Sequence, residues 1–230
     1  MPTIQNLSEI KAWMIMEKGT FFNWSSIESA FKDNCLVIAT IENEAVGFFA
    51  LTKKYPVVTI DLAEIHPLFR KNNIARRTLS AVIEDLKREN FYTLDLMCAP
   101  ASSEKIWRKM GFTDMPKQID PSENKMLCLT FGLHLQPTII LSEHETLEIW
   151  DDEPHITKDN PPKWIYNLSF KKGTRELEEP VLLYADYDWR VRWIVGNKTI
   201  KDCKLKYLYR DMKFGSCLFI DKLPVQPAVH

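Results

Sequence analysis

TIDLAEIHPLFRKNNIARRTLSAVIEDLKREN, residues 59–90, holds a strand, a turn and a helix in one run. Ile60, Leu62 and Ile65 form a short apolar stretch closed by Pro67, which predicts a strand. Ile74, Leu79, Val82, Ile83 and Leu86 then recur at helical spacing, while Arg77, Glu84, Asp85, Lys87 and Arg88 take the remaining positions. One stripe is apolar and the rest is wetted, the pattern of a helix lying on a core. Between strand and helix lies the turn Arg70-Lys71-Asn72-Asn73, with Arg76 and Arg77 just beyond it. A turn feeding a helix N-terminus presents unpaired N–H groups and the positive end of the helix dipole, which suits a phosphate. An ordinary connection with solvated charges fits these features too.

The chain around this stretch has 230 residues, enough for one large domain or two small ones. Two are expected. With 45% hydrophobic and 27% charged residues the composition is that of a globular protein, and no apolar run reaches the roughly 18 residues of a membrane span. The N-terminal MPTIQNLSEIKAW lacks the charged head and apolar run of a secretory signal. Five cysteines with no close C-x-x-C pair predict reduced thiols in a cytoplasmic setting and no zinc knuckle. A net charge of −1 lacks the electrostatic footprint of a dedicated nucleic-acid binder.

In chain order, Ser8 with Ile10, Trp13 and Met14 predicts a capped helix, and Trp24 to Phe31 a second one. Cys35 to Ile41 and Ala45 to Leu51 read as strands joined by Glu42-Asn43-Glu44, a hairpin. After residues 59–90 come a strand at Phe91 to Met97 and a helix at Ser102 to Met110 stopped by Gly111. Thr113 to Asn124 is a polar connection leading to a last strand, Lys125 to Leu133. Helices, hairpin, strand, helix, strand, helix and strand describe an α/β unit with a mixed sheet flanked by helices.

Over residues 35–133 this order resembles the GNAT superfamily of acetyl-CoA-dependent N-acetyltransferases. The family's phosphate loop, Gln/Arg-x-x-Gly-x-Gly/Ala after a strand ending in an apolar residue, any residue and proline, is matched by Ile65-His66-Pro67 and Arg70-Lys71-Asn72-Asn73-Ile74-Ala75. Asn73 stands where the family has glycine. A later family segment, an apolar-aromatic pair, three residues and Gly-Phe, is matched by Ile106-Trp107 through Gly111-Phe112.

The resemblance implies roles residue by residue. Main-chain N–H groups of Arg70, Lys71, Asn72, Asn73, Ile74, Ala75 and Arg76 would hold the pyrophosphate of acetyl-CoA. The strand edge at Ala63 and Ile65 would pair with the pantetheine arm, and the N–H near Ile65 would face the thioester oxygen. Glu64 and Asp95 match the positions from which family members draw the acid that accepts the amine proton. A solvated strand carboxylate is the other reading of each. Trp107 occupies the place of the family tyrosine that serves the departing sulfur, and indole cannot deliver an acid proton. Pro100 replaces an asparagine often used as a cofactor contact.

The remaining conspicuous residues point to structure. Cys35, Cys98 and Cys128 lie in apolar strand-like runs and belong to the core. His66, His134, His144 and His155 lack metal-ligand spacing, and Asp151-Asp152-Glu153 lacks an EF-hand pattern, so no metal site is expected.

The chain is thus expected to divide into residues 1–135, the acetyl-CoA-binding domain, and residues 136–230, a small mostly-β domain. Seven apolar runs in the second part, Thr138 to Leu141, Thr146 to Trp150, Trp164 to Phe170, Val181 to Tyr184, Trp189 to Val195, Leu205 to Tyr209 and Cys217 to Ile220, are separated by Gly, Pro, Asn and Asp turns and predict six or seven strands. In WRVRWIV, Trp189, Val191, Trp193 and Val195 share one face and Arg190 and Arg192 the other, as in a half-buried strand, so both tryptophans are expected in a core. No family is apparent in this half, and channel closure, partner binding and self-association remain open for it. Two functions follow from the resemblance. The first is an N-acetyltransferase acting by direct attack of a primary amine, small molecule or protein, on acetyl-CoA, with neither membrane nor nucleic acid as partner. The second is a catalytically weak or inactive acyl-CoA-sensing module whose β domain binds a partner.

Overall fold

The computed structural model describes residues 2–16, 23–115, 125–140, 145–208 and 217–225. The chain separates into two units, Met1–Gly132 and Leu133–His230. In the first the order is α1 (Ile4–Met16), α2 (Trp24–Lys32), β1 (Leu36–Ile41), β2 (Glu44–Lys54), β3 (Val57–Ile65), α3 (Ile74–Arg88), β4 (Thr93–Met97), α4 (Glu104–Lys109), β5 (Thr113–Asp114) and β6 (Met126–Thr130). The strands form one mixed sheet, β1-β2-β3-β4-β6-β5, in which β3 and β4 are parallel and the other neighbours antiparallel.

Helices cover both faces. Leu79, Val82 and Leu86 of α3 pack on Phe49, Val58, Ile60, Leu94, Leu96 and Leu127. Ile10, Trp13 and Met14 of α1 and Ile27 and Ala30 of α2 pack on Leu36, Phe48 and Ala50 of the other face. Each fully buried side chain of this size contributes about 1.5–3 kcal/mol, so the sheet is held from both sides. The first helix starts before the expected cap. Thr3 and Asn6 close its N-terminus reciprocally: the Asn6 N–H donates to Thr3 Oγ1 at 3.2 Å and the Thr3 N–H to Asn6 Oδ1 at 3.1 Å. Ser8 lies inside the helix, where its hydroxyl donates to the Ile4 carbonyl at 3.0 Å.

The second unit holds β7 (Glu145–Ile149), β8 (Trp164–Asn167), β9 (Glu176–Leu183), β10 (Arg190–Val195), β11 (Lys198–Lys204) and β12 (Leu218–Lys222). They form a four-stranded sheet, β11-β10-β7-β8, and the pair β12-β9. Trp189, Val191 and Trp193 enter the core with Leu147, Ile149, Tyr166, Val181 and Ile220, as the alternation in WRVRWIV predicts. Two expected strands are absent among the described residues. Thr138 makes only an isolated bridge to Ile165. Leu205–Tyr207 is a single 3-10 turn, because Leu205 and Leu208, three apart, are both buried while Tyr207 is exposed. Among the described residues no helix is long and apolar enough to cross a membrane.

Candidate functional site

The end of β3 is where the sheet opens. β3 pairs with β4 only from Val57↔Thr93 to Ile60↔Leu96, although β3 runs on to Ile65. Its register with β2 slips between Ala50↔Leu62 and Leu51↔Ile60, leaving Asp61 as an extra residue, the mark of a bulge. A bulge bends its strand, which carries β3 away from β4 beyond this point. Past it, the His66 N–H donates to the Val46 carbonyl at 2.9 Å. Antiparallel strands alternate their bonding direction, so the backbone groups of Glu64 and Leu62 also face β2, and those of Ala63 and Ile65 face the opened side. These are the two positions expected to border a cofactor arm.

Gly47 makes this strand end tight. A Cβ there would lie 2.4 Å from Ile65 Cδ1 and 3.0 Å from the Glu64 carbonyl oxygen. The sequence signal was present, since a glycine inside a strand often marks a close backbone approach.

The turn after β3 leads into α3 through two left-handed residues. Pro67–Phe69 form one 3-10 turn, with the Phe69 N–H donating to the His66 carbonyl at 2.9 Å and the Arg70 N–H to the Pro67 carbonyl at 3.2 Å. Lys71 and Asn73 are then left-handed, with φ of 67° and 58°. Asn73 is the N-cap of α3 and makes no side-chain capping bond, while its carbonyl accepts from the Arg77 N–H at 3.0 Å. The N–H groups of Ile74, Ala75 and Arg76 therefore lie in the first turn, where no intrahelical acceptor exists. Asparagine tolerates the left-handed region best among residues with a side chain, which explains how this position holds a positive φ without a glycine.

The cations of the loop differ in what they do. Arg76 reaches across to the end of α4, its Nη2 donating to the Lys109 carbonyl at 2.7 Å. Arg70 turns back to β3, its Nε donating to the Ile65 carbonyl at 2.9 Å and its Nη2 to Glu64 Oε1 at 2.7 Å.

The two candidate acids are not brought together. Glu64 lies at the open end of β3 on the face of Phe48, with a quarter of its side chain exposed. Asp95 stands opposite Thr59, whose hydroxyl donates to Asp95 Oδ1 at 2.6 Å, and is 3% exposed. Five residues of strand separate these levels, about 15 Å at the rise of an extended chain. Thr59, the partner of Asp95, escaped sequence reasoning because only the parallel register reveals the pairing.

Trp107 packs as a core residue. Its ring meets Phe112 at 5.3 Å and Phe49 at 6.0 Å, both edge to face. On the other face His66 lies edge to face with Trp13 at 5.4 Å and with Phe69 at 5.5 Å, a cluster beside Glu64 in sequence that periodicity did not disclose. Cys128, paired with Asp95 in the sheet, has its thiol pushed up to about 11, first by burial. It is a packed thiol, not a nucleophile. Among the described residues no group of His, Cys, Asp and Glu is arranged to hold a metal ion.

The sequence model described as "Acetyltransferase (GNAT) family" matches residues 3–112. No curated protein matches the chain. Among solved structures, a putative GNAT-family acetyltransferase from Desulfovibrio desulfuricans is similar at 11% identity and a TM-score of 0.48, over 56% of this chain and 95% of its own. A GNAT-family N-acetyltransferase from Escherichia coli, in complex with CoA, is similar at 13% identity and 0.46, over 56% and 78%. The ribosomal-protein-S18-alanine N-acetyltransferase of Escherichia coli is similar at 17% identity and 0.45, over 61% and 96%.

Proposed function

Residues 3–112 are a domain of the GNAT acetyltransferase family, and from that premise we propose that the protein transfers acetyl from acetyl-CoA to a primary amine by direct attack. The observation that carries the reading is the pairing of an opened β3 end with a left-handed turn at the head of α3. The residues fit the cosubstrate. Lys71 and Asn73 set the turn so that the N–H groups of Ile74, Ala75 and Arg76 converge on one anion, and the backbone of Ala63 and the N–H of Ile65 face the side that β4 leaves, where a pantetheine amide chain can pair with them.

Acetyl-CoA supplies a thioester whose carbonyl carbon the free amine attacks, the N–C bond forming and the C–S bond breaking with release of the thiol. The chain's residues prepare that exchange. The Ile65 N–H donates to the carbonyl oxygen as negative charge grows there, a contact worth about 3 kcal/mol when preorganised. Glu64, at the same strand end and partly in water, takes the proton that the ammonium must lose. Asp95, buried against Thr59, supports the sheet and takes no part in the proton transfer. Trp107 offers no acid proton, so the sulfur leaves with a proton from solvent, which a thiol of ordinary acidity near 8.5 tolerates. The acceptor is an amine of a small molecule or of a protein.

Thiol release across a panel of amines, with CoA affinity measured by calorimetry, tests this. Glu64→Gln is expected to lower turnover about 10²-fold or more at unchanged CoA affinity. Asp95→Asn is expected to lower thermal stability while turnover stays within about threefold. Binding of CoA without turnover for any amine would move the protein to the acyl-CoA-sensing function, and no binding would remove the cosubstrate.

A further inference from the structure

We propose that Arg70, the cation that opens the phosphate turn, is a positioning residue for Glu64 and not a phosphate ligand through its side chain; the inference rests on the acetyl-transfer reading above. The 3-10 turn Pro67–Phe69 folds the chain back on itself, so a residue six positions after Glu64 returns to the end of the same strand. The guanidinium grips two consecutive residues of that strand. Its Nε donates to the carbonyl oxygen of Ile65 at 2.9 Å and its Nη2 to Glu64 Oε1 at 2.7 Å.

The planar fork therefore ties the carboxylate to the backbone of the residue whose N–H faces the thioester, and fixes the proton acceptor relative to the oxyanion donor. A glutamate at a strand end otherwise has three torsions to spend among staggered wells. The fork has a cost and a limit. Nearly half of the Arg70 side chain is exposed, so solvent weakens the charge attraction, and what the pair provides is geometry more than energy. Phosphate recognition falls to groups that do not need Arg70, namely the N–H groups of the first turn of α3 and the exposed Lys71 beside them. Lysine cannot replace the fork, because one ammonium cannot donate along two fixed edges.

The test uses the full chain as wild type, Arg70→Gln, Arg70→Lys, Glu64→Gln and the double variant Arg70→Gln/Glu64→Gln. Arg70→Gln is expected to keep the CoA dissociation constant within about threefold and to lower kcat at saturating amine tenfold or more. In the Glu64→Gln background the same substitution is expected to cost less than twofold, and Arg70→Lys to recover only part of the loss. A readout independent of turnover is the Arg70 Nε–H resonance, assigned by its disappearance in Arg70→Gln. Glu64→Gln is expected to shift it, and CoA to leave it nearly in place.

A tenfold weaker CoA affinity in Arg70→Gln at unchanged kcat, an equal loss in both backgrounds, or an Nε–H signal moved by CoA and not by Glu64→Gln each overturns the proposal. A wild type that binds no CoA removes the acetyl-transfer reading, and the resonance still decides the Arg70–Glu64 link. A wild type that binds CoA and turns over no amine overturns the catalytic role of both residues.

Discussion

Asn73 shows how one residue departs from a family pattern and keeps the property for which the pattern exists. On the proposed acetyl-transfer reading the turn needs a left-handed residue whose N–H points at an anion, and Asn73 takes φ of 58° with no capping bond from its own side chain. Glycine is favoured there for lack of a Cβ, and asparagine is the next best. Asn73→Gly is therefore expected to keep the CoA dissociation constant within about threefold and the melting temperature nearly unchanged. Asn73→Val places a β-branched side chain in the left-handed region at a cost of about 1–2 kcal/mol. It is expected to lower melting by roughly 5 °C and to weaken CoA at least tenfold, read by scanning fluorimetry and calorimetry. Equal behaviour of the glycine and valine variants would show that the turn does not depend on this conformation. The glycine substitution was legible in the sequence, because the flanking Pro67 and Ala75 fix the alignment. The use of Arg70 was not, since nothing in six intervening residues says that the chain doubles back.

At the scale of elements, legibility followed the length of the periodic signal. α3 was readable to its first residue because five apolar positions repeat over four turns. The run Leu205 to Tyr209 was read as a strand, and its described part holds the 3-10 turn Leu205–Tyr207, because so short a run does not distinguish period 2 from period 3. The bulge at Asp61 was invisible, and it is the point beyond which β3 no longer pairs with β4. In the second unit the same limit applies to charge: the sequence places Arg190 and Arg192 on the wetted face of β10, and the structure partly buries them. Arg190 makes a two-pronged pair with Asp202 at 2.8 and 2.6 Å, donates to the Thr157 carbonyl at 2.9 Å and lies over the Trp150 ring at 4.4 Å. The Arg190 hydrogen bonds hold the Asp202 carboxyl below the usual carboxylate range. A depressed folded value gives stability that is present above the unfolded value of about 3.8 and is lost as pH falls through the folded one. Asp202→Asn is accordingly expected to cost about 2 kcal/mol at pH 7, less than a fully buried pair because about a third of the Asp202 side chain is in water. The gap between variant and wild type should narrow as pH falls below about 3.8 and close once pH has passed the lower folded value, read in urea titrations at stepped pH. A gap that persists there would mean that the pair contributes packing and not charge.

For the whole molecule, what matters is that no core cluster of the described residues spans both units. The two clusters of the first unit draw only on residues before Gly132, and that of the second only on residues after Leu133. A compact core is what makes a segment unfold cooperatively, so each unit is expected to carry its own stability. The candidate site lies wholly in the first unit, between Ala63 and Arg76. CoA at about 100 times its dissociation constant adds roughly 2.7 kcal/mol to whatever binds it, which for a unit of this size raises melting by about 10 °C. Calorimetric scans of the full chain are thus expected to resolve two transitions, of which CoA moves one and leaves the other within about 1 °C. Asp202→Asn should lower the transition that CoA does not move, and Asn73→Val the one that it does. A single transition shifted as a whole by CoA and by both substitutions would instead mean that the units unfold as one. In that case the second unit stabilises the acetyl-CoA site directly, and removing it would be expected to weaken binding as well as stability.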